Sequence, residues 1–149
     1  MHRSQLEPLQ LVQYGQGETY HLHTDWFEAA SQTTASVGGN RLTSFFVYVA
    51  ASNITGGGTN FPILDTPKDD RWCEFMDCDE PWENGVTFKP LPGNAVFWQN
   101  LDGEGRGDPA TIHAGLPVTS GNKLGMNIWT RQGPLSEEFR GPDEEPHIR

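Results

Sequence analysis

Long apolar runs are missing from this chain of 149 residues. No stretch approaches the ~18 consecutive apolar residues that cross a bilayer as a helix. The opening Met1-His2-Arg3-Ser4-Gln5 also lacks the apolar core of a secretory leader. Contact with a membrane is therefore not expected. Basic residues are scarce: 10 Lys and Arg stand against 20 Asp and Glu, for a net charge of −10. Nucleic-acid affinity comes largely from cations that neutralise phosphates, so a nucleic-acid partner is not expected either. Cysteine is nearly absent, with only Cys73 and Cys78. Two thiols cannot complete a zinc site by themselves, and their spacing is not C-x-x-C. They are read either as a disulfide closing a surface loop or as two free thiols. The disulfide reading favours an oxidising compartment, the endoplasmic reticulum lumen or the secretory pathway.

What is present points to strands. The 17 glycines and 11 prolines, with 11% aromatic residues, suit many short strands joined by turns. Strands are read at Leu9–Tyr14, Thr19–Phe27, Arg41–Ala51, Thr59–Leu64, Gly85–Pro90, Ala95–Gln99, Ala110–Val118 and Lys123–Arg131. Phe45-Phe46-Val47-Tyr48-Val49 is apolar enough to predict cover on both faces. The intervening stretches Ala29–Asn40, Asp65–Gly85 and Asp102–Asp108 read as loops. No long helix and no internal repeat is visible. Eight antiparallel strands predict an all-β jelly roll, a double-stranded β-helix with little helix, whose two sheets enclose a pocket. It would occupy residues 1–131, and 132–149 would form a polar, frayed C-terminal tail.

One tripeptide carries chemistry. His23-Thr24-Asp25 is His-x-Asp, and two residues apart on a strand both side chains share a face, as does His21. Such a pair arises often by chance, with a surface His and a capping Asp as the plain alternative. Context changes the weighing. His113 lies downstream in Thr111-Ile112-His113-Ala114-Gly115, and two His with one carboxylate form the facial ligand set of non-haem iron(II). Lys123 follows, placed to offset a buried carboxylate. A cupin metal site is the rival. Gly15, His21-Leu22-His23 and Glu28 match most of its first motif. Its second motif needs a His soon after Pro-x-Gly, whereas here Leu91-Pro92-Gly93 leads to Asn94-Ala95-Val96. His21 is accordingly read as a neighbour or a solvent-facing residue, not a ligand.

The order of further residues extends the pattern. Tyr14, Gly17, Tyr20, Asn40-Arg41-Leu42, Phe61-Pro62, Lys89-Pro90, Gly93-Asn94-Ala95-Val96-Phe97-Trp98, His113-Ala114-Gly115-Leu116-Pro117-Val118, Gly121-Asn122-Lys123 and Trp129 run in sequence with His23-Thr24-Asp25. In this the chain resembles the catalytic domain of prolyl 4-hydroxylases, among the 2-oxoglutarate- and iron(II)-dependent dioxygenases. The resemblance implies iron ligation by His23, Asp25 and His113, and pairing of Lys123 with the far carboxylate of 2-oxoglutarate. Tyr14, Asn127 and Trp129 would line the co-substrate pocket, although the family usually has a small hydroxyl residue where Asn127 stands. It also implies dioxygen as oxidant, ascorbate as reductant, and hydroxylation of proline in a peptide with release of succinate and CO2. The loops at Ala29–Asn40 and Asp65–Gly85 would fold over that peptide, and Trp72, Trp82 and Trp98 could offer it flat surfaces. Relatives carry helices ahead of the first core strand, where this chain has about eight residues. The larger sheet is thus expected to leave an apolar face uncovered, inviting self-association. The alternative is a non-catalytic jelly-roll binding module that keeps the metal site.

Overall fold

The computed structural model describes residues 2–79, 81 and 84–141. Trp82 and the end of the tail lie outside the described residues. Eight strands form two antiparallel four-stranded sheets. They are β1 (Gln10–Tyr14), β2 (Tyr20–His23), β3 (Arg41–Gly56), β4 (Thr59–Phe61), β5 (Val86–Phe88), β6 (Ala95–Gln99), β7 (His113–Gly115) and β8 (Val118–Arg131). The larger sheet has the order β1-β8-β3-β6 and the smaller the order β2-β7-β4-β5. This is the expected jelly roll. The helical content is a few single 3₁₀ turns and one short α-helix, α1 (Glu137–Arg140). No helix among the described residues is long and apolar enough to cross a membrane.

Alternation along the strands builds the interior. Phe46 and Tyr48 of β3 point inward with Val96 and Trp98 of β6, Tyr14 of β1, Val118 of β8 and Phe61 of β4. Tyr48 ties the two sheets together by donating to Thr59 Oγ1 at 2.7 Å. Register sets rows on this inner face. Ser44 pairs with both Trp98 and Trp129, and Phe46 with both Val96 and Asn127. The β3–β8 ladder passes over Gly125, where a Cβ would fall 2.3 Å from the Phe46 ring, so only glycine lets that ring lie flat across the sheet.

The expectation that Phe45–Val49 is covered on both faces is corrected. Phe45, Val47 and Val49 point away from the core, beside Phe97, Met126, Ile128 and Leu11. Leu11 is 62% exposed and Phe97 50%, because no described element packs over this face. Other strand ends also differ from the reading. β3 runs on to Gly56 and β8 begins at Val118, since these strands pair along nearly their full length with bulges absorbing the mismatch. β2 stops at His23, so Asp25 lies in the turn beyond it.

The described residues near each end of the chain are held by the barrel. Leu6 bridges to Thr130, and Glu7 is buried with its N–H bonded to Trp129 O. The Glu7 carboxylate takes both Arg41 (Nε and Nη2, each 2.9 Å) and Arg131 (Nε, 2.6 Å). The start of the expected tail is docked as well: Leu135 is buried and its N–H bonds to Ser4 O, while Gly133 N–H bonds to Gly38 O. Cys73 and Cys78 are joined as a disulfide. None of the described residues of their loop lines the cavity between the sheets. Met76 bridges to Phe88, so the loop caps the outer edge of β5, and Trp72 stays half exposed there.

Two outcomes follow for stability. Replacing Glu7 by Ala strands two buried guanidinium groups and is expected to cost about 3–5 kcal/mol in denaturant unfolding. Replacing both Cys73 and Cys78 by Ser is expected to cost about 2 kcal/mol, as for any short cross-linked loop. An unchanged midpoint in the latter would mean that the Met76–Phe88 bridge alone orders the loop.

Candidate metal and anion site

The site starts with a misfit between two strands. In the β2–β7 pair Tyr20 faces Gly115 and His23 faces His113, three residues against two. The resulting bulge breaks strict alternation and turns Tyr20 onto the His23 side, with ring centres 4.4 Å apart. His21, read as a neighbour of the site or as solvent-facing, is exposed.

After the bulge the chain turns sharply, and several contacts fix the turn that carries Asp25. Asn40 brackets Phe27 by accepting from its N–H at 2.8 Å and donating to its carbonyl at 3.0 Å. Trp26 lies flat on Gly107, where a Cβ would fall 2.2 Å from the indole. Its Nε1 donates to Asp108 O at 3.2 Å. The other ligand candidate, His113, opens β7 after a 3₁₀ turn that Asp108 caps at Ala110 N–H. Phe61 stacks on its ring at 5.2 Å and Trp98 meets it edge-on at 4.8 Å.

Hydrogen bonds orient both imidazoles. His23 Nδ1 bonds to His21 O at 2.7 Å and His113 Nδ1 to Thr111 O at 2.9 Å. A carbonyl can only accept, so each Nδ1 carries the proton and each Nε2 keeps a free lone pair. Those Nε2 atoms lie 3.6 and 4.0 Å from Asp25 Oδ1, and the three donor atoms all fall within 4.8 Å of one another. The other carboxylate oxygen is occupied: Oδ2 accepts from Ser44 Oγ at 2.6 Å and from Trp129 Nε1 at 2.9 Å.

Electrostatics match this division of labour. Asp25 is 3% exposed. Burial alone would raise its carboxyl, but the neighbouring His23 and His113 and the donors Ser44 and Trp129 outweigh that and bring it down to about 2. Burial lowers His113, more strongly than the Asp25 charge raises it. One carboxylate and two imidazoles therefore converge on one point, a donor set that binds a divalent transition metal.

The triad opens into a cavity of about 360 Å³ between the sheets, with Lys123 also on its wall. Lys123 is 1% exposed. Its Nζ donates to Gly57 O at 2.5 Å and lies 4.6 Å from the Tyr14 ring centre. No carboxylate among the described residues pairs with it. Burial pushes its ammonium down to about 8. Tyr14, facing Lys123 across the β1–β8 ladder, is pushed up to about 12, first by burial and then by Tyr20 and Glu18. Its phenol thus remains a donor at neutral pH. Asn127 and Trp129 also line the cavity, as expected. Asn127 donates to Gln10 Oε1 at 2.9 Å, whereas the Trp129 N–H is committed to Asp25. Trp98 is on the wall, while Trp72 is not.

The sequence reading missed Ser44, Tyr20 and Arg41 as parts of the site. Arg41 stacks over Trp129 at 3.6 Å, held there by Glu7. For Ser44 the signal was available: a small polar residue on the inward phase of an apolar strand. Tyr20 depended on the bulge, which no spacing reveals.

The buried ammonium gives a pH signature. Folding disfavours the charged form of Lys123, so its cost, about 3 kcal/mol for a shift of this size, is fully present below pH 8. The cost disappears as pH climbs from about 8 to 10.5, because there the unfolded chain holds the proton and the folded chain does not. Lys123→Met is expected to be more stable than the parent at pH 7, with the difference closing across that window in unfolding titrations. A difference independent of pH would place the titration elsewhere.

Comparison with known proteins agrees with this geometry. The family model described as 2OG-Fe(II) oxygenase superfamily matches residues 9–131. Prolyl 4-hydroxylase 2 of Arabidopsis thaliana is 33% identical over 132 residues, covering 83% of this chain and 40% of that protein. Prolyl 4-hydroxylase subunit alpha-1 of Homo sapiens is 34% identical over 142 residues, covering 93% of this chain and 22% of that protein. The chain thus spans less than half the length of these relatives. Among solved structures, the viral collagen prolyl hydroxylase of Paramecium bursaria Chlorella virus-1, in complex with 2OG, superposes with a TM-score of 0.62. It is 28% identical, over 85% of this chain and 59% of that one. With its jelly roll, its His-Asp-His cluster and its match along residues 9–131, this chain belongs to the 2OG-Fe(II) oxygenase superfamily as a domain of the prolyl 4-hydroxylase type.

Proposed function

We propose that the chain binds iron(II) through His23, Asp25 and His113, binds 2-oxoglutarate through Lys123, and hydroxylates proline in a peptide. The observation that carries this reading is the unpaired ammonium of Lys123 in the cavity that holds the triad. A buried cation without a counter-ion is costly, and a dicarboxylate removes that cost when it binds. The donor set fits ferrous iron, since three ligands on one side leave positions for a chelating co-substrate and for dioxygen. Bound iron would supply the oxidising chemistry that splits 2-oxoglutarate to succinate and CO2 and delivers oxygen to a C–H bond.

The protein's own part is placement. His23 and His113 offer Nε2 because their Nδ1 protons are held by carbonyls. Asp25 stays ionised and contributes the single negative charge of the ligand set. Lys123 would hold the far carboxylate and Tyr14 donate to it, while Asn127 and Trp129 close the wall beside it. Phe46, Trp98 and Phe61 keep water from the space between. Ascorbate is proposed as reductant on family likeness. Tyr20 and Arg41 stand on the cavity wall beside the triad, where an extended peptide would approach, whereas Trp98 is buried. The disulfide supports an oxidising compartment such as the secretory pathway. In a solution of this chain alone, the surface available to cover Leu11, Phe97 and their neighbours is that of a second copy.

The test is succinate formation from 2-oxoglutarate with iron(II), with and without a proline-rich peptide. Formation that depends on peptide is expected. Binding of both ligands without turnover would favour the binding-module reading. His113→Ala is expected to abolish turnover while retaining the fold by circular dichroism, and full activity in that variant sinks the triad assignment. Lys123→Met is expected to raise KM for 2-oxoglutarate by at least ~100-fold, the scale of a lost buried charge pair. Sedimentation of a Phe97→Asp variant is expected to shift the chain toward monomer.

A further inference from the structure

Asn100 spends buried polarity without return. It is 0% exposed just past β6, and its Oδ1 has no hydrogen-bond partner. An unmade buried acceptor costs more than an ordinary hydrogen bond contributes, so an apolar side chain would serve packing better here. What the amide does make is a bond from Nδ2 to Ser44 Oγ at 2.9 Å. Ser44, also 0% exposed, passes it on: its hydroxyl donates to Asp25 Oδ2 at 2.6 Å.

The direction of this chain follows from proton bookkeeping. The ionised Asp25 carboxylate can only accept. Ser44 has one proton and must give it to Asp25, so toward Asn100 it can only accept. Asn100 must therefore turn its NH2 to Ser44, which leaves Oδ1 facing nothing. The orphaned oxygen is the consequence of fixing the serine proton.

We infer that Ser44 and Asn100 are positioning residues that make Asp25 a one-oxygen ligand. Together with Trp129 they hold Oδ2, so that only Oδ1 turns toward the Nε2 atoms of His23 and His113. A carboxylate free to swing can grip a cation through both oxygens and use up a position that a co-substrate needs. The row that pairs Trp98, Ser44 and Trp129 across β6, β3 and β8 brings the second-layer groups to Asp25 at once. This inference rests on the metal site proposed above.

Cobalt(II) titration separates the two ideas, read by its visible ligand-field spectrum and by competition with a chelator. The parent chain is expected to bind one ion. Ser44→Ala and Asn100→Leu are each expected to weaken binding by about tenfold or more, as for other partners of metal ligands. Ser44→Thr keeps the hydroxyl and is expected to bind more tightly than the nearly isosteric Ser44→Val. Melting of the metal-free variants reports the fold separately, and Asn100→Leu is expected to melt no lower than the parent. Unchanged cobalt affinity in Ser44→Ala and Asn100→Leu overturns the relay and leaves the metal site standing. Failure of the parent chain to bind cobalt overturns both.

Discussion

A single carboxylate joins the two sheets at the open end of the barrel. Asp25 leaves the smaller sheet just beyond β2, yet its Oδ2 is gripped by Ser44 and Trp129 of the larger one. Its Oδ1 faces imidazoles from β2 and β7. Without that carboxylate, two buried donors of the inner row would lose their acceptor. The contacts around the turn, Asn40 bracketing Phe27 and Trp26 lying on Gly107, make sense as devices that deliver Asp25 to this position.

Charges inside the molecule fall into two groups with opposite logic. Glu7, Arg41 and Arg131 are matched: one carboxylate serves two guanidinium groups, and carbonyls of Gly39 and Gln32 accept from Arg131 Nη1. Such a cluster tolerates burial because its members satisfy one another, and it fixes Arg41 against Trp129. Lys123 is unmatched. Its aromatic neighbours, Tyr14, Phe46 and Tyr48, offer ring faces but no charge. One group anchors the chain, and the other is left in want of an anion.

Much of the architecture was legible because alternation and turn residues dictate strands directly. Ala95–Gln99 was read with its ends in place. The failures have physical sources. Phe45-Phe46-Val47-Tyr48-Val49 reads as covered on both faces because hydrophobicity reports what a residue prefers, not what the rest of the chain supplies. The extent of β3 and β8 was missed because bulges let two long strands stay paired through polar stretches. The bulge in β2 also went unread, because one extra residue in a strand leaves no mark on the spacing. Asn100 gave no signal at all, since its role depends on a proton three atoms away on a strand it meets only in the fold.

The interior is more polar than packing requires, and that polarity is a store of free energy as much as a template. The protonated Lys123 and the orphaned Asn100 oxygen lower the stability of the empty chain. A dicarboxylate that pairs with Lys123 restores part of it, and occupation of the triad by a cation offsets the Asp25 charge. Ligands that bind only the folded state stabilise it by an amount that grows with the logarithm of their concentration relative to Kd. The same buried groups that weaken the empty barrel therefore make it respond strongly to its ligands. An apolar replacement at Lys123 would yield a firmer barrel with nothing to say to an anion.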